Sequence, residues 1–261
     1  MRKVLLILIL FNIFFLYSCK SKTTVINNVI NQTTSIEDSI KLEDFESVLS
    51  NAATKVMQNV VGVVAYNEKS VLKSELNGSG VVIKKIDNTY FIVTNRHVVI
   101  NKGVIYDSVK IYLGNINVYL DAEVVTYDKQ VDLALLKVTT DILLVPAKLG
   151  NIENVKVGKY CIAVGSPYEL ETYYNTVTIG NISGLNRMIK EDNYYYKEVT
   201  NKYIQFDAAI NTGCSGGGIF NINEELIGII CWKLNPSSSA IENMGFAVGI
   251  DTLKEVFKDY I

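Results

Sequence analysis

From about residue 58 to about residue 250, short runs of β-branched and aromatic residues alternate with Gly, Asn and Asp, and no helix-period stretch separates them. The first six runs are Val60 to Tyr66, Gly80 to Lys85, Tyr90 to Thr94, Ser108 to Leu113, Val118 to Thr126 and Leu133 to Val138. A connection near Leu143 to Val155, holding Pro146 and Gly150, leads to six more: Tyr160 to Val164, Asn175 to Ile182, Tyr203 to Phe206, Gly217 to Asn221, Leu226 to Trp232 and Met244 to Val248. Neighbouring parallel strands need a long, usually helical crossover, and none is present. The pattern therefore predicts an all-β protein of two six-stranded antiparallel β-barrels, at about residues 58–140 and about 156–250. Helices are expected only at the ends. Phe45, Val48, Leu49, Ala52, Ala53 and Val56 recur at spacings of three and four over Asp44 to Met57. Leu253, Val256, Phe257 and Tyr260 would share one face of a last helix capped by Asp251.

Composition agrees with a packed fold: 49% of the 261 residues are apolar and 20% charged. A net charge of −2 supplies no uniform positive field for phosphate binding, so nucleic acid is not an expected partner. The single histidine, His97, argues against zinc or non-haem iron sites, which draw on two or three imidazoles. No metal or other cofactor is expected.

The N-terminus reads as an export signal. Basic Met1-Arg2-Lys3 precedes an apolar run from Val4 to Tyr17, too short for the ~20 residues of a spanning helix. Leu16-Tyr17-Ser18-Cys19 resembles a bacterial lipobox, which implies lipidation at Cys19 and a membrane anchor in the periplasm or at the cell surface. Tyr17 is bulkier than that signal usually has, and plain secretion or an uncleaved anchor are the alternatives. Residues 1–19 are then a lipoprotein-type signal peptide, 20–39 a polar tether rich in Asn, Thr and Ser, and 40–261 the folded domain. Cys161, Cys214 and Cys231 cannot form a disulfide framework; Cys161 and Cys231, in apolar runs, read as buried thiols.

Nucleophilic attack on a peptide carbonyl needs a serine, a base with pKa near 7 to take its proton, a carboxylate to orient that base, and N–H groups for the oxyanion. Only His97 can be the base, and it lies in Thr94-Asn95-Arg96-His97-Val98-Val99, directly after the third strand. Asp132 opens Val131 to Val138 at the mouth of the sixth strand; Asp128 and Asp121 are rivals that lead into no apolar strand. Ser215 sits in Gly213-Cys214-Ser215-Gly216-Gly217-Gly218, where the N–H groups of Gly213, Cys214 and Ser215 can turn inward together.

Gly78-Ser79-Gly80, Thr94 to Val99, Asp132-Leu133-Ala134, Val164-Gly165-Ser166-Pro167, Ile204 to Gly217 and Gly245-Phe246-Ala247-Val248 resemble, in order and over roughly residues 45 to 258, the trypsin-like peptidase domain of HtrA/DegP serine proteases. The resemblance implies a chymotrypsin-type fold with His97, Asp132 and Ser215 as the catalytic triad in the cleft between the barrels. By position it also implies an S1 pocket floored by Ala209 and a substrate edge strand at Ile230-Cys231-Trp232. Without an acidic floor, a small aliphatic P1 residue is expected in the protein or peptide substrates.

The departures carry information. Cys214 stands where the HtrA pattern usually has Asn and digestive enzymes have Asp, so activation by a newly cut N-terminal amine has no partner; the thiol reads as a small filler or a redox-sensitive group. Thr212 and Gly218 replace prolines of the pattern and loosen the loop. The chain ends at Ile261, so no PDZ domain is expected, and oligomerisation is left open. Arg187 to Lys202, with Tyr194, Tyr195 and Tyr196, reads as a loop, either a substrate platform or simply solvated. The expected activity is that of a serine endopeptidase; the alternative is a catalytically silent lipoprotein that keeps the barrels as a binding or adhesion module.

Overall fold

The computed structural model of the chain describes residues 42–67, 75–101, 103–193, 196–233 and 242–261. The signal and tether segments with Cys19, and Tyr194 and Tyr195, lie outside the described residues. The chain divides into two compact units at Leu49–Ser50. The described part of the first is the opening half of helix α1 (Leu42–Met57).

The second unit begins with the rest of α1 and continues through β1 (Val60–Tyr66), β2 (Glu75–Ile86), β3 (Thr89–Asn95), the one-turn helix α2 (Arg96–Val99), a short pair β4 (Ile100–Asn101) and β5 (Val104–Ile105), β6 (Ser108–Leu113), β7 (Val118–Asp121), β8 (Glu123–Tyr127) and β9 (Leu133–Thr139). The sheet order is β7-β6-β1-β2-β3-β9-β8. Its two end strands are halves of one strand interrupted at Ala122, whose N–H still donates to the Val109 carbonyl at 2.9 Å. That bend carries the chain from the β6 edge to the β9 edge, and the curled sheet is the first barrel. The run Val118 to Thr126, expected as one strand, is thus two that meet at Ala122.

The second barrel comprises β10 (Lys148–Leu149), β11 (Tyr160–Gly165), β12 (Thr176–Asn193), β13 (Tyr196–Phe206), β14 (Gly218–Phe220), β15 (Glu225–Lys233) and β16 (Gly245–Gly249), in the order β10-β15-β14-β11-β12-β13-β16. A further β15–β16 ladder closes six antiparallel strands, and two-residue β10 joins the outside in parallel with β15. The described parts of Arg187 to Lys202 are strand and not loop: they belong to β12 and β13, with Arg187 paired to Tyr203 and Lys190 to Thr200. Arg187 Nε donates to Gln205 Oε1 at 2.8 Å across the two strands. Helix α3 (Ile250–Val256) closes the fold, and its cap is Gly249; Asp251 lies in the first turn, where its charge favours the helix dipole without capping it.

Period-two alternation distributes the core. In β9, Ala134, Leu136 and Val138 face the interior of the first barrel, while Leu133 and Leu135 face a second cluster shared with Ile162, Phe220 and Ile229 of the other barrel. A strand buried on both faces must be apolar throughout, which is why Leu133 to Leu136 shows no polar alternation. Ala52 and Val56 of α1 and Leu253 of α3, with Phe257 just beyond it, complete the shared cluster, so both helices brace the junction of the barrels. Cys161, Cys214 and Cys231 are buried thiols. Desolvation pushes the Cys161 thiol up to about 12 and raises that of Cys214, which leaves both poor nucleophiles near neutral pH.

Candidate active site

Antiparallel pairing of β3 with β9 sets Asn95 opposite Leu133, so the residues just past one strand and just before the other must meet. His97 and Asp132 are those residues. Asp132 adopts φ 50°, a left-handed conformation that Asp tolerates better than most side chains at a cost of about 1–3 kcal/mol. The surroundings hold it there. The Asp132 carbonyl accepts from the Arg96 N–H at 3.0 Å and from Asn95 Nδ2 at 3.1 Å, and its Oδ1 accepts from the His97 N–H at 3.0 Å. Oδ2 is left for the imidazole, and His97 Nδ1 lies 2.6 Å from it. The carboxylate side chain is 15% exposed and the imidazole 44%, so the acid is secluded and the base partly open to solvent. The Arg96 guanidinium stands at the outer side of the same carboxylate, Nε to Oδ1 3.9 Å.

Ser215 occupies the turn between β13 and β14. Gly213 and Gly216 on either side have φ of +98° and +85°, which a side chain would resist. The Ser215 hydroxyl donates to the Cys231 carbonyl of β15 at 3.0 Å. The turn abuts the His97 segment: a Cβ on Gly216 would strike Ser79 O, Thr94 Oγ1 and the Asn95 nitrogen, and Asn95 Nδ2 donates to Cys231 Sγ at 3.3 Å. The segment that carries His97 and the turn that carries Ser215 are therefore in contact, the first from the first barrel and the second from the second.

Peptide dipoles in the turn alternate. Because N–H and C=O of one peptide unit point in opposite directions, each carbonyl's partner fixes where the following N–H points. The Thr212 carbonyl accepts from Tyr168 N–H at 2.7 Å and that of Cys214 from Gly217 N–H at 2.9 Å, which turns the Gly213 and Ser215 amides away from those partners. Among the described residues neither amide has an acceptor. The Cys214 amide differs: it donates to the Asn211 carbonyl at 3.0 Å, so it does not belong with the other two as a free donor.

A cavity of about 60 Å³ adjoins the turn, lined among others by Ala163, Thr178, Ala209, Cys214 and Ile230. Ala209 and Ile230 are both among the residues that line it. Cys231 contributes its carbonyl to the serine. Trp232 pairs with Phe246 in the β15–β16 ladder, and its side chain lies outside the described part. Sequence reasoning did not single out Asn95 or Ser79 as site residues. Asn95 directly precedes the Arg96-His97 pair, and Ser79 sits between two glycines at a strand; these were the available signals.

Two antiparallel β-barrels, with a histidine–aspartate pair on the first and a glycine-flanked serine turn on the second, define a chymotrypsin-like fold. The chain belongs to the trypsin-like peptidase domain family, whose pattern matches residues 78–229. It is similar to the serine protease HtrA-like protein of Staphylococcus haemolyticus, 36% identical over 248 residues, covering 88% of this chain and 37% of that one. The protein of the same description from Staphylococcus aureus strain USA300 is 37% identical over 187 residues, covering 70% of this chain and 23% of its own. The chain thus spans well under half the length of these relatives. Among solved structures, the HtrA-type protease AlgW with tripeptide superimposes with a TM-score of 0.65 at 27% identity, covering 80% of this chain and 62% of that chain.

Proposed function

We propose that the protein is a serine endopeptidase in which His97, Asp132 and Ser215 form the triad and the Gly213 and Ser215 amides form the oxyanion hole. The observation that carries the reading is the 2.6 Å contact of His97 Nδ1 with Asp132 Oδ2. It fixes the tautomer with the proton on Nδ1 and the lone pair on Nε2. With substrate bound, the Ser215 hydroxyl leaves the Cys231 carbonyl by rotation about χ1 and gives its proton to Nε2 as its oxygen attacks the scissile carbonyl. Asp132 stabilises the resulting imidazolium, the two unengaged amides take the oxyanion, and the imidazolium then protonates the leaving amine. Water repeats the sequence to release the acyl group.

The small cavity, with Ala209 and Ile230 in its lining and no charged residue among the lining residues, fits a small aliphatic P1 side chain of a protein or peptide substrate. A fluorophosphonate probe is expected to label the folded protein at Ser215, located by peptide mass mapping. A P1 panel should show kcat/KM for Val or Ala above Lys or Phe by at least about tenfold, a selectivity of about 1–2 kcal/mol that pocket packing can supply. A folded protein that neither labels nor cleaves would leave only a binding module on this scaffold.

The residues before the domain support export and a lipid anchor at Cys19, on the basic, apolar and lipobox-like pattern of residues 1–19. Labelled palmitate should enter the protein expressed in a bacterium that processes lipoproteins, and Cys19→Ala should abolish incorporation and release the protein from the membrane fraction. Unchanged incorporation in the variant would refute the assignment.

A further inference from the structure

We propose that Ser79, contributed by the first barrel, is a positioning residue that keeps the nucleophile turn of the second barrel ready to receive an oxyanion; the inference rests on the peptidase reading above. Ser79 is fully buried, and all its polar atoms are engaged. Its N–H donates to the Ser215 carbonyl at 2.8 Å, and its hydroxyl donates to the Gly213 carbonyl at 2.8 Å. The same hydroxyl accepts from Ser166 N–H at 2.9 Å, and its carbonyl accepts from Thr94 Oγ1 at 2.7 Å. One side chain and its backbone thus hold the carbonyls on both sides of Cys214.

The consequence follows from peptide planarity. The Gly213–Cys214 unit is pinned at both ends, its carbonyl by Ser79 Oγ and its N–H by the Asn211 carbonyl. Pinning that unit sets ψ at Gly213, and hence the relative directions of the Gly213 amide before it and the Ser215 amide after it. Glycine at 213 offers little torsional resistance of its own, and Thr212 adds no ring constraint. Without the hydroxyl, the buried Gly213 carbonyl would lack its donor and the unit could rotate to find another, turning a carbonyl dipole toward the space where negative charge develops. The anchor is itself braced: Ser166 Oγ accepts from Asn175 N–H at 3.2 Å, and Asn175 Nδ2 donates to the Met57 and Val60 carbonyls at 2.8 and 3.2 Å. A buried polar chain therefore runs from the end of α1 to the turn.

The test compares the full chain with Ser79→Ala on a fluorogenic peptide with a small aliphatic P1 residue. Loss of orientation at the oxyanion donors should lower kcat on the order of 10- to 100-fold while KM stays within about threefold. A peptide boronate, which adds to Ser215 and mimics the tetrahedral state, should lose affinity by the same factor. A purely structural role predicts a lowered unfolding midpoint with kcat and boronate affinity within about threefold of the parent, and that result overturns the proposal, as does a loss confined to KM. If Ser79→Ala fails to fold, Ser79→Cys, close in size but a weaker donor, carries the test: an intermediate kcat supports the role, and a parental kcat overturns it. Failure of the parent itself to hydrolyse or label would instead overturn the peptidase reading, and this proposal with it.

Discussion

Ser215→Ala is expected to lower kcat/KM on the order of 10⁵- to 10⁶-fold, the largest effect of any single substitution in the chain. The hydroxyl supplies the atom that forms the acyl bond, and nothing beside it can substitute: the neighbouring thiol, Cys214, is buried and has its pKa raised by desolvation. Its contribution to folding is small by comparison. Its hydrogen bond goes to the Cys231 carbonyl, a contact worth about 1 kcal/mol net. The unfolding midpoint should therefore stay within a few degrees of the parent while fluorophosphonate labelling disappears. Turnover above about a thousandth of the parental rate in the folded variant would place the nucleophile elsewhere.

Asp132→Asn is expected to cost about 10⁴-fold in kcat with the fold intact. Asn occupies left-handed backbone as readily as Asp, so the turn that holds the residue at φ 50° survives the change. The carboxylate, however, serves two donors at once: Oδ1 takes the His97 backbone N–H and Oδ2 faces Nδ1. An amide has one oxygen. With that oxygen on the backbone N–H, the NH₂ group faces Nδ1, the ring must carry its proton on Nε2, and Nε2 can no longer accept from serine. Labelling by the fluorophosphonate should slow in proportion to kcat, because both require the same proton transfer. Equal rates for Asp132→Asn and the parent would mean that the imidazole is oriented by some other group.

Both predictions rest on residues that the sequence singles out, for a simple reason: a chain with one histidine has one candidate imidazole base, and Asp132 and Ser215 are an acid at a strand mouth and an alcohol in a glycine turn. The barrels were legible because their strands are β-branched and bounded by turn residues. What escaped was whatever depended on partners distant in the chain. The outer part of the β12–β13 ladder lies in a charged, tyrosine-rich run without apolar alternation, so no period-two signal marked it, and its strand character shows only in the pairing from Arg187–Tyr203 to Asn193–Tyr196. The bend at Ala122 leaves no compositional mark, and neither does the commitment of the Cys214 amide to Asn211, which is set by how the turn folds back. Asp251 lost the capping position to Gly249 by a two-residue shift of the helix start.

The division of the reacting groups between lobes also dictates when a new molecule can become dangerous to its neighbours. Synthesis runs from the amino end, so the first lobe emerges carrying a proton acceptor with no alcohol to activate. The alcohol follows 118 residues after His97, yet its turn is held by the Gly216 N–H to Ile230 carbonyl and Ile230 N–H to Gly217 carbonyl bonds, within a strand that must still pair with Gly245–Gly249. Under the peptidase reading, the reactive set therefore cannot assemble before Gly245–Gly249 has been made and has paired with β15.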